Sequence, residues 1–424
     1  MSQFFPLRSS ISQTPLWQHI ELFFLLACII GTPLQEGLRN TGLFVFMLIW
    51  VINRIRLRDV KVEWDRWDIA TGLLIASMLC TQITVLLMDD VHTKVSHVLR
   101  YLVLFWMMRH SRFAQWQYWL IVAAIVIPTL IGMGWSWPHY LAGHKFKELE
   151  LPNIQHVNHA SLYVLVVLQI LVPTTVYLLT KKRRAAAAVL VGLVVLFMIW
   201  LMAASSRAAV GVAVLSIGVG VVPLFLHSRR QAVILLLALL VLGGAVITNY
   251  SGALVKQKAW MSVYMNKMSP RERLWNTAFE SFDYAPWLGR GYDQYQQLTP
   301  DYVKRLVESK GEKFNADHFY FAGHAHNVYI TWVIEHGVVG LSALVVFCVV
   351  WLMYLFKDYH RIKTDSILAW WWSIATSAFL TTTVAGIVTT TMRRDTAFVL
   401  LLVLGLYLSY SKYGAIDKET RQIK

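Results

Sequence analysis

The feature that most constrains this chain is an uninterrupted apolar run at residues 185–204, AAAAVLVGLVVLFMIWLMAA. A helix of about 20 apolar residues spans the hydrocarbon core of a bilayer. Similar runs recur along the sequence, and 57% of the residues are hydrophobic while only 15% are charged. This pattern excludes a soluble domain, a disordered chain and a disulfide-stapled secreted module. A transmembrane β-barrel would instead show alternating segments of about ten residues. The sequence therefore predicts an all-α integral membrane protein.

Twelve apolar segments are long enough to be predicted as membrane-spanning helices. Their limits are residues 16–33, 37–53, 67–88, 93–110, 116–134, 157–180, 185–203, 207–227, 230–248, 326–356, 366–388 and 395–413. Residues 1–248 then hold spans one to nine, and residues 326–413 hold spans ten to twelve. Residues 249–325 are the one long polar stretch and are predicted to form an ordered loop domain. Residues 414–424 form a short tail.

The distribution of lysine and arginine predicts the orientation, because cytoplasmic loops carry an excess of both. With twelve spans and a cytoplasmic N-terminus, one side of the membrane receives nearly all the basic loops, which contain Arg54, Arg56, Arg58, Lys61, Arg66, Arg109, Arg112, Lys181, Lys182, Arg183, Arg184, Arg229, Arg230, Lys357, Arg361 and Lys363. Both termini are then cytoplasmic, and residues 249–325 form an extracytoplasmic loop domain of a multi-pass membrane protein.

The net charge of +15 does not indicate nucleic-acid binding, because the basic residues are scattered between apolar runs. Cys28, Cys80 and Cys348 all lie inside such runs, where a packing role is expected and neither a disulfide framework nor a metal cluster is implied. The sequence has no G-x-x-x-x-G-K-[ST], H-E-x-x-H or G-x-S-x-G motif. Hydrolysis of ATP and serine-hydrolase chemistry are therefore not expected.

The segment Gly323-His324-Ala325-His326-Asn327 opens the tenth predicted span. A helix N-terminus disfavours a protonated imidazole, so His326 is a candidate general base at physiological pH. On a continuous helix Glu335 lies about half a rotation from His326 and cannot hydrogen-bond to it. Gly337 and Gly340, which follow in the same span, allow close helix approach. The alternative is that His326 and Asn327 only cap a helix at the interface.

Two arginine-containing segments predict sites for an anion. Ser205-Ser206-Arg207 forms a short turn before the eighth span, where helix N–H groups and an arginine together suit a phosphate. The alternative is an arginine that snorkels to the interface. The second segment contains Arg271 and Arg273 after Ser269-Pro270, followed by PWLGRGY at 286–292. A solvated amphipathic helix on the membrane surface would explain that segment equally well.

Three further charged positions leave alternatives open. Arg100 lies midway along the fourth predicted span, and a charge at that depth is a functional candidate, although a different register would put it closer to the interface. Asp89-Asp90 is either a divalent-cation site or a solvated loop. Arg393-Arg394-Asp395, in the last loop on the predicted periplasmic side, either attracts lipid headgroups or an anionic substrate, or is paired internally.

Taken together, three of these segments resemble the O-antigen ligase and polymerase superfamily. His326-Asn327 with Glu335, Gly337, Gly340 and Leu341 is similar to its H-N-x(7)-E-x-G-x-x-G-L signature. Ser206-Arg207-Ala208 is similar to its S-R-x motif at a periplasmic helix start. Arg271-x-x-Leu274-Trp275, with Pro286-x-x-Gly289-x-Gly291, resembles its R-x-x-L-W…P-x-x-G-x-G segment. The order of the motifs agrees, and the family's twelve spans with one large periplasmic loop cover the whole chain.

The resemblance implies a GT-C-like glycosyltransferase of a bacterial inner membrane, with its active site and the 249–325 loop domain on the periplasmic side. It implies a polyprenyl-diphosphate glycan donor and no metal or other cofactor. It implies inverting transfer with His326 as general base and with Arg207 and Arg271 as diphosphate clamps. Asn327 would orient the base, Glu335 would be structural, and His324 and Arg273 are second candidates for the two principal roles. Arg100 matches no motif and is retained as a candidate substrate-binding residue.

Three functions within the superfamily fit these motifs: an O-antigen ligase, an O-antigen polymerase and a protein O-oligosaccharyltransferase. The ligase is favoured because no substantial domain follows the last predicted span and because the large loop suits a bulky, phosphorylated acceptor. Its expected partners are undecaprenyl-diphosphate-linked O-antigen as donor, lipid A–core oligosaccharide as acceptor, and membrane lipids, with no nucleic acid. Outside the superfamily, a twelve-helix transporter is the alternative, although the two halves show no relation to each other.

Overall fold

The computed structural model describes residues 16–57, 63–89, 93–142, 149–204, 206–220 and 268–414, together with single positions between 222 and 237. The described part of the chain is helical and contains no β-strand. This agrees with the requirement that backbone groups in a bilayer find their hydrogen-bond partners within the same segment.

Nine of the described helices are long and apolar enough to cross a membrane. They are α1 (Leu16–Leu34), α2 (Glu36–Arg56), α3 (Arg66–Asp89), α5 (Gln115–Leu141), α6 (Val157–Thr180), α7 (Arg184–Ala203), α11 (Val328–Asp358), α12 (Ser366–Thr383) and α13 (Arg394–Ser409). Four shorter helices complete the described chain: α4 (Ser96–His110), α8 (Arg207–Gly220), α9 (Pro270–Phe282) and α10 (Pro300–Ser309).

These helices coincide with the predicted spans, with three differences. The fifth span continues past its predicted end at residue 134 to Leu141. The fourth is helical over only 15 residues, from Ser96 to His110, so it is shorter than a full bilayer crossing. The eighth begins at Arg207 as predicted and is continuous to Gly220, while most of the ninth, 230–248, lies outside the described residues. The total of twelve spans therefore stays a prediction.

Helix α6 lies at the centre of the bundle and is buried along almost its whole length. It packs against α7, α8 and α12, and α13 packs against both α4 and α12. The two ends of the bundle differ in charge. Basic loops with Arg54, Lys181 and Lys357 lie at the end where α2, α6 and α11 finish. We call the other end, where α6, α8, α11 and α13 begin, the site end.

Residues 268–327 form a compact segment with its own small core at the site end. The Ser269 hydroxyl caps α9 by accepting a hydrogen bond from the Glu272 backbone N–H, and the Ser269 backbone N–H donates to the Glu272 carboxylate. The helix therefore begins where Ser269-Pro270 predicted it. The core consists of buried apolar side chains from α9, α10 and the connecting turns, and it includes Ile334 of α11. The segment is therefore packed onto the bundle through the first turns of α11.

Helix α11 is broken at Gly337, whose φ of 66° and ψ of −173° are not helical. The loop at 286–291 enters this break. The backbone N–H groups of Arg290 and Gly291 donate to the carbonyls of Ile334 and Glu335 at 3.0 and 2.9 Å. On the other side of the break, the Val338 N–H donates to the Pro286 carbonyl at 2.8 Å. The loop thus supplies the hydrogen-bond partners that the interrupted helix lacks.

The break changes the interpretation of the two glycines in the tenth span. Gly337 does not contact a neighbouring helix, because its Cα faces the backbone of Trp287 and Leu288 in the loop. Gly340 accommodates the side chain of His336 from its own helix. The expectation that both glycines serve helix–helix approach is corrected, since the space at Gly337 is taken by a loop and the space at Gly340 by a histidine one turn away.

Replacing Gly337 with alanine should destabilise the protein. The new Cβ would overlap the Trp287 carbonyl group, and the left-handed backbone alone costs an alanine about 1–3 kcal/mol. We expect a lower thermal unfolding midpoint in detergent. Gly192→Ala in α7 is the matched control, because no atom lies within 4 Å of the position its Cβ would take. Equal midpoints for the two variants would contradict the role assigned to the break.

Candidate functional site

Asn327 is the N-cap of α11, and His326 lies one residue before it. The Asn327 side-chain oxygen accepts hydrogen bonds from the backbone N–H groups of Tyr329 and Ile330 at 2.9 and 3.0 Å. His326 adopts a left-handed backbone conformation with φ of 49°. His326 is therefore outside the helix, so the offset expected between His326 and Glu335 on one continuous helix does not apply. We call residues 323–326 the histidine segment, and the cap fixes the direction in which this segment leads into the helix.

Two neighbouring carbonyl groups bring Arg271 beside this cap. The Asn327 amide donates to the Ile387 carbonyl at 3.0 Å, and the Arg271 guanidinium donates to the Val388 carbonyl at 3.2 Å. The Trp275 indole, one turn further along α9, donates to the Ala325 carbonyl at 3.1 Å. The two predicted motifs, 55 residues apart in sequence, therefore meet on the loop between α12 and α13.

Helix α8 begins at the same level of the bundle. Ser377 of α12 donates to the Ser216 carbonyl of α8 at 3.2 Å, which fixes the register of the two helices. Because these helices run in opposite directions, the turn Ala385–Ile387, which follows α12, lies toward the start of α8, and the two are in contact. The N-terminus of α8, with Arg207 as its first residue, is thus at the site end. The side chain of Arg207 lies outside the described part of the chain.

Four histidine rings follow one another at this end. The ring centroids of His326 and His324 are 4.4 Å apart, those of His324 and His159 are 5.7 Å apart, and those of His159 and His156 are 5.4 Å apart. Burial lowers the pKa of His326, with further contributions from the charges of His156 and Arg271. Burial and the neighbouring His326 lower the pKa of His324 to about 2. Both imidazoles of this segment are therefore neutral at physiological pH.

Arg393 forms the electrostatic centre of the site end. Its buried guanidinium donates to the Asp293 carboxylate and to the Gly323 carbonyl, the latter at 3.3 Å. It lies 3.5 Å from the Glu335 carboxylate, and Lys94 is 3.0 Å from the second oxygen of Asp293. For the last predicted loop, the sequence left open whether its charges attract lipid headgroups or an anionic substrate or are paired internally. Arg393 is paired internally and is not available to a lipid headgroup.

The other two residues of that loop differ from Arg393 and from each other. Asp395 is buried and forms an ion pair with Arg39 of α2. Arg394, the first residue of α13, is exposed and has a left-handed backbone with φ of 48°. The three consecutive charged residues thus have different environments. Arg393 pairs with the 268–327 segment, Asp395 pairs with α2, and Arg394 is exposed at the surface.

Arg273 and Arg100 lie apart from the His326–Arg271 contact. The Arg273 guanidinium donates to the carbonyls of Ala316 and Phe319 at 3.2 and 2.8 Å, within the 268–327 segment. Arg100 lies in the second turn of α4, near the site end, where its guanidinium donates to the Asn40 amide oxygen at 3.2 Å. Its predicted position midway along a span is corrected, because α4 begins only at Ser96.

The Asp89-Asp90 pair is only partly described, since Asp89 ends α3 and Asp90 lies outside the described residues. In the ranges that the structure describes, no group of three or more histidine, cysteine, aspartate or glutamate side chains has an arrangement suited to a metal ion.

Sequence reasoning missed Asp293 and His159. Asp293 follows directly on the loop that enters the α11 break, and it was hidden among the polar residues of a stretch treated as a surface loop. His159 is buried in the first turn of α6. A histidine next to apolar residues at the start of a predicted span is the local signal that His159 offers, whereas Asp293 lies within the polar stretch 249–325 and offers none.

Residues 166–345 match a protein-family model described as O-antigen ligase. The matched region runs from α6 to the second part of α11, and it includes Arg207, Arg271, His326 and Glu335. No curated protein matches the chain.

Removing the negative charge of Asp293 should destabilise the site end strongly. Breaking a buried ion pair costs about 3–5 kcal/mol, and for Asp293→Asn the remaining contact with Glu335 offsets part of that cost. Asp283→Asn is the control, because Asp283 is an exposed partner of Lys310 and such surface pairs contribute about 0–1 kcal/mol. Thermal unfolding of both purified variants would compare them. A midpoint for Asp293→Asn no lower than that of the control would contradict the assigned pairing.

Proposed function

Because residues 166–345 match a family model described as O-antigen ligase, we propose that this chain belongs to the O-antigen ligase superfamily and is an O-antigen ligase. It transfers O-antigen polysaccharide from undecaprenyl diphosphate onto lipid A–core oligosaccharide. The observation that carries the proposal is the meeting of Arg271 and the His326-Asn327 segment on two adjacent carbonyl groups. A cation for the leaving group and a neutral base then stand side by side, as transfer from a diphosphate requires.

The sidedness of the reaction is part of the proposal. The described basic loops lie at the end of the bundle opposite to His326, and such loops face the cytoplasm. The site end then faces the periplasm of a multi-pass inner-membrane protein, both termini are cytoplasmic, and residues 249–325 form the periplasmic loop domain. Donor and acceptor are both lipid-anchored, so a site at helix ends allows them to meet without leaving the bilayer.

In the proposed reaction, His326 accepts the proton of an acceptor sugar hydroxyl while the hydroxyl oxygen attacks the anomeric carbon of the donor. The bond from that carbon to the diphosphate oxygen breaks, and its electron pair leaves with the diphosphate, so the configuration inverts. Arg271 and Arg207, with the N-terminus of α8, offset the negative charge that develops on the leaving group. No metal is required, since these groups supply the positive charge.

The other candidates receive supporting roles. Asn327 holds the backbone that carries His326, and Glu335 stabilises Arg393 rather than touching substrate. Gly337 and Gly340 shape the two parts of α11. His324 lies deeper than His326, and the much lower pKa of its ring makes it the weaker base. Arg273 stabilises the 268–327 segment through the Ala316 and Phe319 carbonyls, which leaves Arg271 as the arginine for the diphosphate.

Lipopolysaccharide gels from a deletion strain complemented with variants would test the function. Bare core, with long glycan accumulating on the carrier, is expected for the deletion if the protein is the ligase. Core bearing a single repeat would identify a polymerase. A normal ladder in the deletion strain would exclude both and would direct attention to protein O-glycosylation or to transport, which would be measured by uptake of labelled substrate into liposomes.

Variants at two positions should separate the proposed roles. His326→Asn retains a residue type that tolerates a left-handed backbone but removes the base, so it should leave bare core. Arg271→Gln should reduce the initial rate with purified protein about 10²–10³-fold, as the loss of one charge-stabilising group does elsewhere. Arg112→Gln, an exposed change at the opposite end of the bundle, is the control. Full activity in His326→Asn would refute the assignment of the base.

The pH dependence follows from the lowered pKa of His326. A general base must be neutral, and a pKa below 6.5 keeps the ring neutral down to more acidic pH than an ordinary histidine allows. We therefore expect the half-maximal initial rate to lie below pH 6.5, with the rate falling as the pH drops through the pKa of His326. Rates would be measured with purified protein under conditions where chemistry limits turnover. A half-maximal rate at or above pH 6.5 would contradict a buried, neutral base.

A further inference from the structure

Arg100 is a partly buried cation without a counterion. Within the described part of the chain its guanidinium donates only to the Asn40 amide oxygen at 3.2 Å and to the Tyr101 hydroxyl at 3.4 Å. Its Nε is buried and has no hydrogen-bond partner. No carboxylate among the described residues forms an ion pair with it. Leaving a cation in this state at a membrane interface is costly unless an anion completes its environment.

The neighbouring Arg39 shows the contrast. It lies close to Arg100, and its guanidinium forms ion pairs with Asp395 and with Glu36, the latter at 2.7 Å. Its Nε also donates to the Asn40 amide oxygen at 3.3 Å. Arg39 is therefore paired with two carboxylates, whereas Arg100 is paired with no carboxylate among the described residues. The uncompensated charge is specific to Arg100.

Asn40 adds a second donor at the same place. Its amide oxygen is used by both arginines, and in the described part of the molecule its amide nitrogen donates to no other group. The position is also open to the outside, because Asn40, His97 and Arg100 are all partly exposed and the turn at 35–38 between α1 and α2 is exposed. We call the surface around Asn40, His97 and Arg100 the rim. There, a guanidinium and an amide N–H group lie where an anion can reach them.

This rim is separate from the His326 site but connected to it. Asp395, which pairs with Arg39, lies in the first turn of α13, next to the exposed Arg394. The histidine rings lie near the same helix start, since Arg394 is close enough to His159 to influence it electrostatically. The two cationic places thus lie near the beginning of α13 at the same end of the bundle.

We propose that Arg100 and Asn40 bind a phosphate group of a lipid in the leaflet at the site end, and that this lipid is the acceptor. The inference rests on the proposed function, in which the donor diphosphate occupies the Arg207–Arg271 side. A planar guanidinium suits bidentate contact with phosphate oxygens. A second anion site near the start of α13 holds the acceptor by its phosphate while its sugar extends toward His326.

The test compares wild type with Arg100→Gln in reconstituted membranes, using phosphorylated lipid A–core and the same lipid after phosphatase treatment. Losing the charge-assisted contact should raise the KM for the phosphorylated acceptor about 10- to 100-fold. The KM for the donor, and the KM for the dephosphorylated acceptor, should not change. Arg100→Lys should restore part of the difference, and Arg112→Gln is the matched control because its arginine is exposed at the opposite end.

Two other outcomes would overturn the proposal. An effect of Arg100→Gln that follows the anionic phospholipid content of the membrane, whatever the acceptor, would assign the site to bulk headgroups. A lower kcat or unfolding midpoint with an unchanged acceptor KM would make Arg100 a structural residue. Binding of phosphorylated and dephosphorylated acceptor, measured by native mass spectrometry, needs no turnover. If wild type transfers no glycan, the proposed function fails, and equal binding of both lipids by wild type and Arg100→Gln would separately refute the phosphate site.

Discussion

The site end of this protein depends on one buried cation. Arg393 draws together the Asp293 carboxylate from the 268–327 segment, the Glu335 carboxylate from α11 and the Gly323 carbonyl that precedes the two histidines. A guanidinium removed from water requires several such partners, and each of the carboxylates would be equally costly to bury alone. The segment, the broken helix and the loop before α13 are therefore stable only in combination, and this combination gives the histidine segment a fixed position.

Backbone strain is concentrated in the same region. His326, Arg394, Asp293 and His156 all have positive φ angles although none is glycine. Such residues persist where the surrounding contacts determine the conformation, and they gather at functional sites. Asn327 caps one of the helices that follow them, and His156 itself caps α6 by accepting from the Asn158 backbone at 3.2 Å. Each strained residue thus precedes or begins a helix, or is held by the buried ion pair.

The sequence was sufficient for features that depend on local composition. Apolar runs located the spanning helices, and Ser269-Pro270 with Glu272 located the start of α9. The break at Gly337 could not be found in the same way, because the apolar pattern of α11 continues across it and the partner loop lies about 50 residues earlier. Arg393 looked like a surface charge because its partners come from distant segments. Arg100 was placed too deep because apolar composition does not mark where α4 begins. The roles of His326, Arg207 and Arg271 stay predictions from the motifs.

The pairing of the 286–291 loop with α11 also has a consequence for biosynthesis. The loop is made before the helix whose interruption it fills, and Arg393, which neutralises Asp293 and Glu335, is made later still. A nascent chain that has released α11 into the membrane therefore holds two carboxylates that await their cation. Only when α13 enters the bilayer does the histidine segment acquire its final geometry. A chain that ends before Arg393 therefore lacks the cation that holds the Asp293 carboxylate and the Gly323 carbonyl in place.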